Sequence, residues 1–354
     1  MTPGTSDRKL DHIKIVSNEN VQARQKTTFL ENVELVHQSL PELNKLDIDL
    51  SVSFLGHKLS YPILISGMTG GHAEAQKINE TLARAAEKAG VAMGVGSQRA
   101  MLENPSLAYT YQVREFAPSI FLIGNLGVPQ LQKYGVSGVE KAAKLIGANA
   151  FAVHLNNLQE VVQKEGDVSA NGYAKELSKI CKQTKLPIIA KETGAGISKE
   201  TASSLIKCGV SAIDTGGAGG TSWSAVEIKR GRAKNDSALD FWDWGVPTAA
   251  SILEVRSASQ KIPLIASGGL RSGLDAAKCI ALGADLVGMA YPFFKAAESG
   301  VDSVVAKIEE IGEGIKNAMF LSGAQNIKEL QRAKYAVTGD LFKWVASRGL
   351  KFRK

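Results

Sequence analysis

The chain has 354 residues, 44% apolar and 22% charged, with a formal net charge of +7 at pH 7. That balance excludes a mainly disordered chain and leaves material for one large barrel or two ordinary domains. The basic excess is dispersed apart from the ending Arg348 to Lys354 and no aromatic ladder accompanies it, so a phosphorylated small molecule fits better than nucleic acid.

In chain order, residues 1–60 read as an N-terminal arm. Its opening, MTPGTSDRKLDHI, has no apolar signal core, and no apolar run in the chain approaches the ~18 residues a membrane helix needs. A cytoplasmic protein with no membrane partner is expected. Cys181, Cys208 and Cys279 stand far apart without a CxxC and predict reduced structural thiols rather than a zinc site.

From Ser60 onward one grammar repeats: a short β-branched run, a Gly- or Ser-rich stop, then a helical stretch. The strands begin at Tyr61, Val91, Ile120, Ala150, Pro187, Ser211, Pro263 and Asp285, and their nearly continuous apolar runs suit strands buried on both faces. Between them lie amphipathic helices such as Ala73 to Gly90 and Leu274 to Ala284, several ending at a C-capping glycine (Gly90, Gly147, Gly209, Gly283). Even spacing favours closure over an open sheet: an α/β chain forming a (β/α)8 TIM barrel over residues 61–320, with a C-terminal helical extension over 321–354, all in one domain. The long interruption from Ala218 to Gly245 after the sixth strand predicts a lid or a subunit contact.

Barrel enzymes place their chemistry where strands end, and here those points are crowded with polar groups. The glycines of ASGGLRSG (Ala266 to Gly273) and GMA (Gly288 to Ala290) close the last two strands, where backbone N–H groups at helix starts commonly hold a phosphate. Arg271 can add charge. Lys191 ends the fifth strand inside an apolar run, which suits a flavin-facing cation, a Schiff-base amine or a plain ion pair. In HLNNLQE (His154 to Glu160), His154 and Asn156 share a strand face and Gln159 and Glu160 follow on a loop. One carboxylate in such company suits a Mg2+ held mostly by water and phosphate oxygens. If the arm folds over the mouth, Arg8 and Lys9 would join Arg99 and His154 in an anion clamp fit for a diphosphate.

These residues resemble the FMN-dependent type 2 isopentenyl diphosphate isomerases over nearly the whole chain. RKLDHI at Arg8, SGMTGG at Ser66, GSQR at Gly96, GNLG at Gly124, HLNNLQE at His154, KETGAG at Lys191, GGTSWSAVE at Gly219 and SGGLRSG at Ser267 match its signatures in order. The resemblance implies FMN contacts from Gly67, Met68, Thr69, Ser97, Asn125 and Lys191. It adds Thr221, Gly268, Gly269, Arg271, Ala290 and Tyr291. Arg8, Lys9, Ser97, Gln98, Arg99, His154, Asn156 and Gln159 are implied to hold substrate, and Glu160 to bind Mg2+. Gln159, Glu160, His154, Trp223 and Glu227 form the implied catalytic group.

The implied reaction moves the double bond of isopentenyl diphosphate to give dimethylallyl diphosphate in isoprenoid biosynthesis. Reduced FMN and Mg2+ take part, and NADPH serves only to reduce the flavin. A homo-oligomer, tetramer or octamer, is expected. One departure is visible: Asn157 stands where the family motif carries proline, which predicts a looser hold on Gln159 and Glu160 and weaker Mg2+ affinity. The alternative is an FMN barrel oxidoreductase of the 2-hydroxy-acid oxidase type. That chemistry calls for a histidine base beyond the sixth strand, and no histidine follows His154.

Overall fold

The computed structural model describes residues 5–231, 233 and 236–350. Parts of the segment after the sixth strand and the tail 351–354, including most of the basic ending, lie outside them.

Eight parallel strands close into a barrel: Ile63–Ile65, Ala92–Gly94, Leu122–Gly127, Ala150–Leu155, Ile188–Glu192, Ala212–Asp214, Leu264–Ser267 and Leu286–Met289. Each follows its neighbour around the ring, and the eighth pairs with the first to close it. Every strand falls where the sequence pattern puts one. Inward side chains of Leu64, Ala92, Ile123, Ala152, Ile189 and Ile265 fill the barrel, so it is a packed core and not a pore.

A hairpin, Val52–Phe54 with His57–Leu59, plugs the lower end. Its Phe54 meets Phe121 edge to face with ring centroids 6.1 Å apart, the arrangement that aromatic quadrupoles favour.

Most outer helices bury one stripe, whereas Thr248–Ala258 is buried on every side from Thr248 to Arg256. In Ala73–Ala89 that stripe is Ala75, Asn79, Leu82, Ala83, Ala85 and Ala86, the i, i+3, i+4 spacing of a helix lying on a sheet. His72 caps its start by accepting the N–H of Glu74, and Gly90 ends it at φ 67°, where a Cβ would be strained.

The arm begins with a helix, Thr5–Asn18, and then runs along the segment that follows the sixth strand. Ala23 N–H donates to Gly220 O, Ser222 N–H to Val21 O (both 2.8 Å), and the Trp242 indole N–H to Gln22 O. Six residues of that segment's far side form a 3-10 turn, Asp236–Phe241. The arm is therefore stitched across the barrel mouth, which puts Arg8 and Lys9 there.

At the C-terminus, Tyr335–Val337 pairs with Val33–Leu35, and a helix, Gly339–Ser347, docks through Trp344 and Arg348 on the buried carboxylate of Glu254. Arg348 also pairs with Glu200. That arginine's charge is spent on the fold rather than offered to a polyanion.

Candidate functional site

A cavity of about 240 Å3 opens at the C-terminal ends of the barrel strands. Three sources wall it: the strand tips, the helix of the arm, and the segments that follow the fourth and sixth strands.

Its glycine side comes from the last two strands. Gly268 (φ 105°) and Gly269 (φ 75°) turn the chain with positive φ, and both are packed hard: a Cβ on Gly268 would lie 2.1 Å from Gly217 O. A Cβ on Gly67, just past the adjoining first strand, would lie 2.2 Å from Val95 O. Nearby, Ser66 Oγ and Thr69 Oγ1 are buried without a hydrogen-bond partner among the described residues. Buried hydroxyls left unmet ask for a polar ligand. Arg271 lies at the rim, donating to Gln22 Oε1 at 2.6 Å and stacked over Tyr291.

Register sets the floor. His154, Lys191 and Asp214 are paired neighbours across the fourth, fifth and sixth strands, so they stand in one row on one face. Lys191 Nζ lies 3.2 Å from Asp214 Oδ2 and donates to Glu192 O at 3.1 Å. Of the roles open to this lysine, an ion pair is present in the fold.

His154 Nδ1 lies 2.8 Å from Asn125 Oδ1. Burial, followed by the charges of Lys9, Lys191 and Arg8, pushes its imidazolium down to about 3, so the ring is neutral.

The cationic side comes from the arm. Burial, and then repulsion from Arg8 and Arg99, pushes Lys9 down to about 8. Burial, with Arg99 next, likewise lowers Arg8, whose Nε is buried with no hydrogen-bond partner among the described residues. Arg99 has Glu103 at 2.7 Å, but no carboxylate forms an ion pair with Arg8 or Lys9 among the described residues. A cluster of like charges that lowers its own lysine is built for an anion from outside.

The third wall holds the carboxylates. Asn157–Val162 is a short helix rather than the loop expected from sequence, and Asn157 is its first residue. Proline is favoured at that position because its φ suits the helix and its missing N–H is unneeded there. Asn157 takes that position without the ring that would fix its φ, so the place where proline would stiffen the segment is the one singled out from sequence. Glu160 is fixed from both sides: Oε1 accepts Asn156 Nδ2 at 2.8 Å, and Oε2 accepts Gln163 Nε2 at 2.7 Å and Asp167 N–H at 2.8 Å. Gln159 Nε2 donates to Glu227 Oε1 at 2.7 Å.

Two expected site residues do not reach the cavity. Gln98 is fully buried, with Nε2 donating to Ala142 O and Oε1 accepting Asn125 N–H, so it braces the third strand instead of binding substrate. Glu227 is fully buried behind Gln159. Burial raises the Glu227 carboxyl, but His12, Gln159 and Arg230 together outweigh this and hold it below its ordinary value. His12, lowered mainly by burial, is its partner at 3.0 Å and packs edge-on against Trp223.

The other expected residues all line the cavity. Sequence reasoning missed His12, Gln163 and Asp214. His12 stands in the very motif quoted for Arg8 and Lys9, one helical turn on from Arg8, which was the available signal.

The FMN-dependent dehydrogenase family model matches residues 4–105 and 122–337. The isopentenyl-diphosphate delta-isomerase of Archaeoglobus fulgidus is 49% identical over 98% of this chain and 99% of its own length. The chain belongs to the isopentenyl-diphosphate delta-isomerase family. Enzymes of that name from Methanothermobacter thermautotrophicus (49% identical, covering 99% of this chain and 98% of the relative) and Pyrococcus furiosus (50%, 96% and 89%) agree.

Among solved structures, a lactate oxidase from Pediococcus acidilactici superposes with a TM-score of 0.67 at 17% identity, over 90% of this chain and 88% of that one. A mandelate oxidase mutant gives 0.64 at 19%, over 95% and 93%. At such identities the oxidases share the barrel alone with this isomerase-family chain, and the hydroxy-acid oxidase alternative gains nothing further from them.

Proposed function

We propose that the protein interconverts isopentenyl diphosphate and dimethylallyl diphosphate by a 1,3-allylic proton shift, using reduced FMN and Mg2+ in isoprenoid biosynthesis. The observation that carries this reading is the division of one cavity into a glycine-lined half with unmet hydroxyls and a cationic half in which, among the described residues, Arg8 and Lys9 have no carboxylate in an ion pair. Two anionic ligands meeting face to face would satisfy both.

The first half fits FMN. Gly67, Met68, Thr69, Ser97 and Asn125 would take one side of it, Lys191 and Thr221 the floor, and Gly268, Gly269, Arg271, Ala290 and Tyr291 its phosphate. Bound and reduced, FMN supplies an electron-rich face in a site shielded from water. In the second half Arg8, Lys9 and Arg99 would grip the diphosphate by charge-assisted bonds, with neutral His154, Asn156 and Ser97 as polar partners.

Glu160 would hold Mg2+. The oxygens of Asn156 and Gln163, buried without partners among the described residues, add the hard donors that this cation prefers. Among the described residues no group of three or more His, Cys, Asp or Glu gathers at one point, so the diphosphate and water would complete the coordination shell.

Trp223 would wall the alkene from solvent. Glu227, ionised behind Gln159, would orient that amide toward the reacting carbons and offset the positive charge that develops there. Glu227 thus works through Gln159.

In the same reading NADPH reduces FMN before turnover, and the whole chain is one cytoplasmic domain assembling as a tetramer or octamer. The exposed Trp244 and Phe241, ring centroids 5.6 Å apart on the segment after the sixth strand, support a subunit contact there. The test is to purify the protein, record its flavin spectrum, and assay isopentenyl diphosphate anaerobically under reducing conditions with and without Mg2+. Formation of dimethylallyl diphosphate only when both FMN and Mg2+ are present is expected. Absence of flavin binding sinks the reading.

A further inference from the structure

Asp214 enters none of the roles given above, yet it is the most enclosed charged side chain near the cavity floor. Its side chain is 2% exposed, and Lys191 beside it is 14% exposed. Strand register fixes the two side by side, so the pairing is built into the backbone and does not depend on two long side chains finding each other.

Asp214 is then locked from its other oxygen. Oδ1 accepts a hydrogen bond from Ser267 Oγ at the tip of the seventh strand. Ser267 is itself held: Thr215 Oγ1 accepts Ser267 N–H and donates to Ser267 O, both at 3.0 Å, while Gly216 N–H donates to Ser267 Oγ at 3.1 Å. A carboxylate this well supported cannot swing away from the lysine. Asp214 does not line the cavity itself. It lines a chamber of about 20 Å3 beneath, inside the barrel, which shares Gly67, Asn125 and Lys191 with the cavity above.

The charges around Lys191 are few: Asp214 below, the backbone oxygen of Glu192 beside it, the Glu192 carboxyl, which burial pushes up to about 7, and His154, which is neutral, across the neighbouring strand. A fixed, water-poor dipole of one ammonium and one carboxylate forms the floor, in place of a bare cation.

We infer that Asp214 is a positioning residue for the cofactor chemistry: by neutralising Lys191 it limits how strongly the floor favours the negatively charged reduced form of FMN. Opposite charges a few ångströms apart in a buried setting cancel much of each other's field at a third point, and removing one exposes the other. Asp214 sits in SAIDTG as one more strand residue, which is why sequence alone is silent on it. The inference rests on FMN occupying the cavity with Lys191 beneath it.

The experiment measures FMN affinity in oxidised and reduced states, and the two-electron midpoint potential by spectroelectrochemistry, for the wild type, Asp214→Asn, Asp214→Ser and Lys191→Met. None of these readouts needs turnover. Removing the carboxylate is expected to raise the preference for reduced over oxidised FMN about tenfold, a rise of ~30 mV for a two-electron couple, and Lys191→Met to lower it. The serine variant keeps the test valid if asparagine disturbs folding. A purely structural Asp214 would weaken both oxidation states alike and leave the potential unmoved. That result, with Lys191→Met still shifting the potential, overturns this inference alone. No shift in any variant removes Lys191 from the flavin's surroundings and overturns it too, whereas a wild type that takes up no FMN overturns the functional reading beneath it.

Discussion

Replacing Lys9 by methionine should stabilise the ligand-free protein while weakening its hold on the diphosphate. Burial, with Arg8 and Arg99 nearby, brings this ammonium from its ordinary 10.5 to about 8. At ~1.36 kcal/mol per pH unit, keeping it protonated in the empty site costs about 3 kcal/mol. Local relaxation and salt reduce what a melting experiment sees to about 1–2 kcal/mol, or a Tm higher by about 1–3 °C in the variant.

The sign with pH follows from the lowered value. Below about 8 the lysine is charged in both folded and unfolded chains, so the wild type bears the whole cost. As pH rises from about 8 toward 10.5 the folded lysine sheds its proton first, and the advantage of the variant fades. The lost charge-assisted contact, ~1.5–3 kcal/mol, should raise KM for isopentenyl diphosphate roughly ten- to hundredfold. Differential scanning fluorimetry at pH 7 and pH 10, with steady-state kinetics at pH 7, reads both effects. An unchanged or lower Tm at pH 7, or a gain as large at pH 10, refutes the idea that this cluster is strained for an incoming anion.

Four further outcomes are expected. Glu160→Gln should raise the Mg2+ concentration for half-maximal activity more than tenfold and leave the flavin spectrum alone; equal metal dependence would remove Glu160 from the metal site. Asn157→Pro should add ~0.4–1 kcal/mol of stability by restricting the unfolded chain, with Mg2+ dependence unchanged, and a lower Tm would contradict its place as first helical residue. Glu192 is pushed up to about 7 by burial, against four backbone N–H donors to its Oε2. Its stabilising effect is whole below 4.5 and lost as pH rises through about 7, so urea denaturation of Glu192→Gln should show a flatter stability profile between pH 4.5 and 7; parallel profiles would count against this. Gly268→Ala brings a Cβ against Gly217 O at a positive φ and should weaken FMN binding at least tenfold, measured by flavin fluorescence, with near-normal retention refuting the cradle.

The barrel was legible because each strand is a run of apolar residues stopped by Gly or Ser, and such runs survive any tertiary context. Ile188–Glu192 and Leu264–Ser267 each begin one residue after the proline that opens the written pattern. The cavity was legible for a related reason: strand ends in a closed barrel must converge, so polar groups at those ends meet whatever the loops do.

What escaped has a single physical origin, the direction in which a side chain is spent. Gln98 and Arg99 are adjacent, yet the amide turns inward to Ala142 O while the guanidinium lines the cavity. Adjacency therefore cannot sort ligand from brace; only the available partners can. The same holds on the opposite wall. Glu227 is within a matched motif, but it lies buried behind Gln159, whose amide donates to it, and His12 joins it from a segment 215 positions away in sequence. Charge compensation is the quantity least visible in sequence, because it depends on which carboxylate the fold brings to which cation. Lys191 acquires Asp214 through strand register, whereas Arg8 and Lys9, carried in on the arm, acquire no carboxylate in an ion pair among the described residues. That asymmetry separates a cation that belongs to the floor from cations that an incoming anion would satisfy, and on it the proposed site for two anions rests.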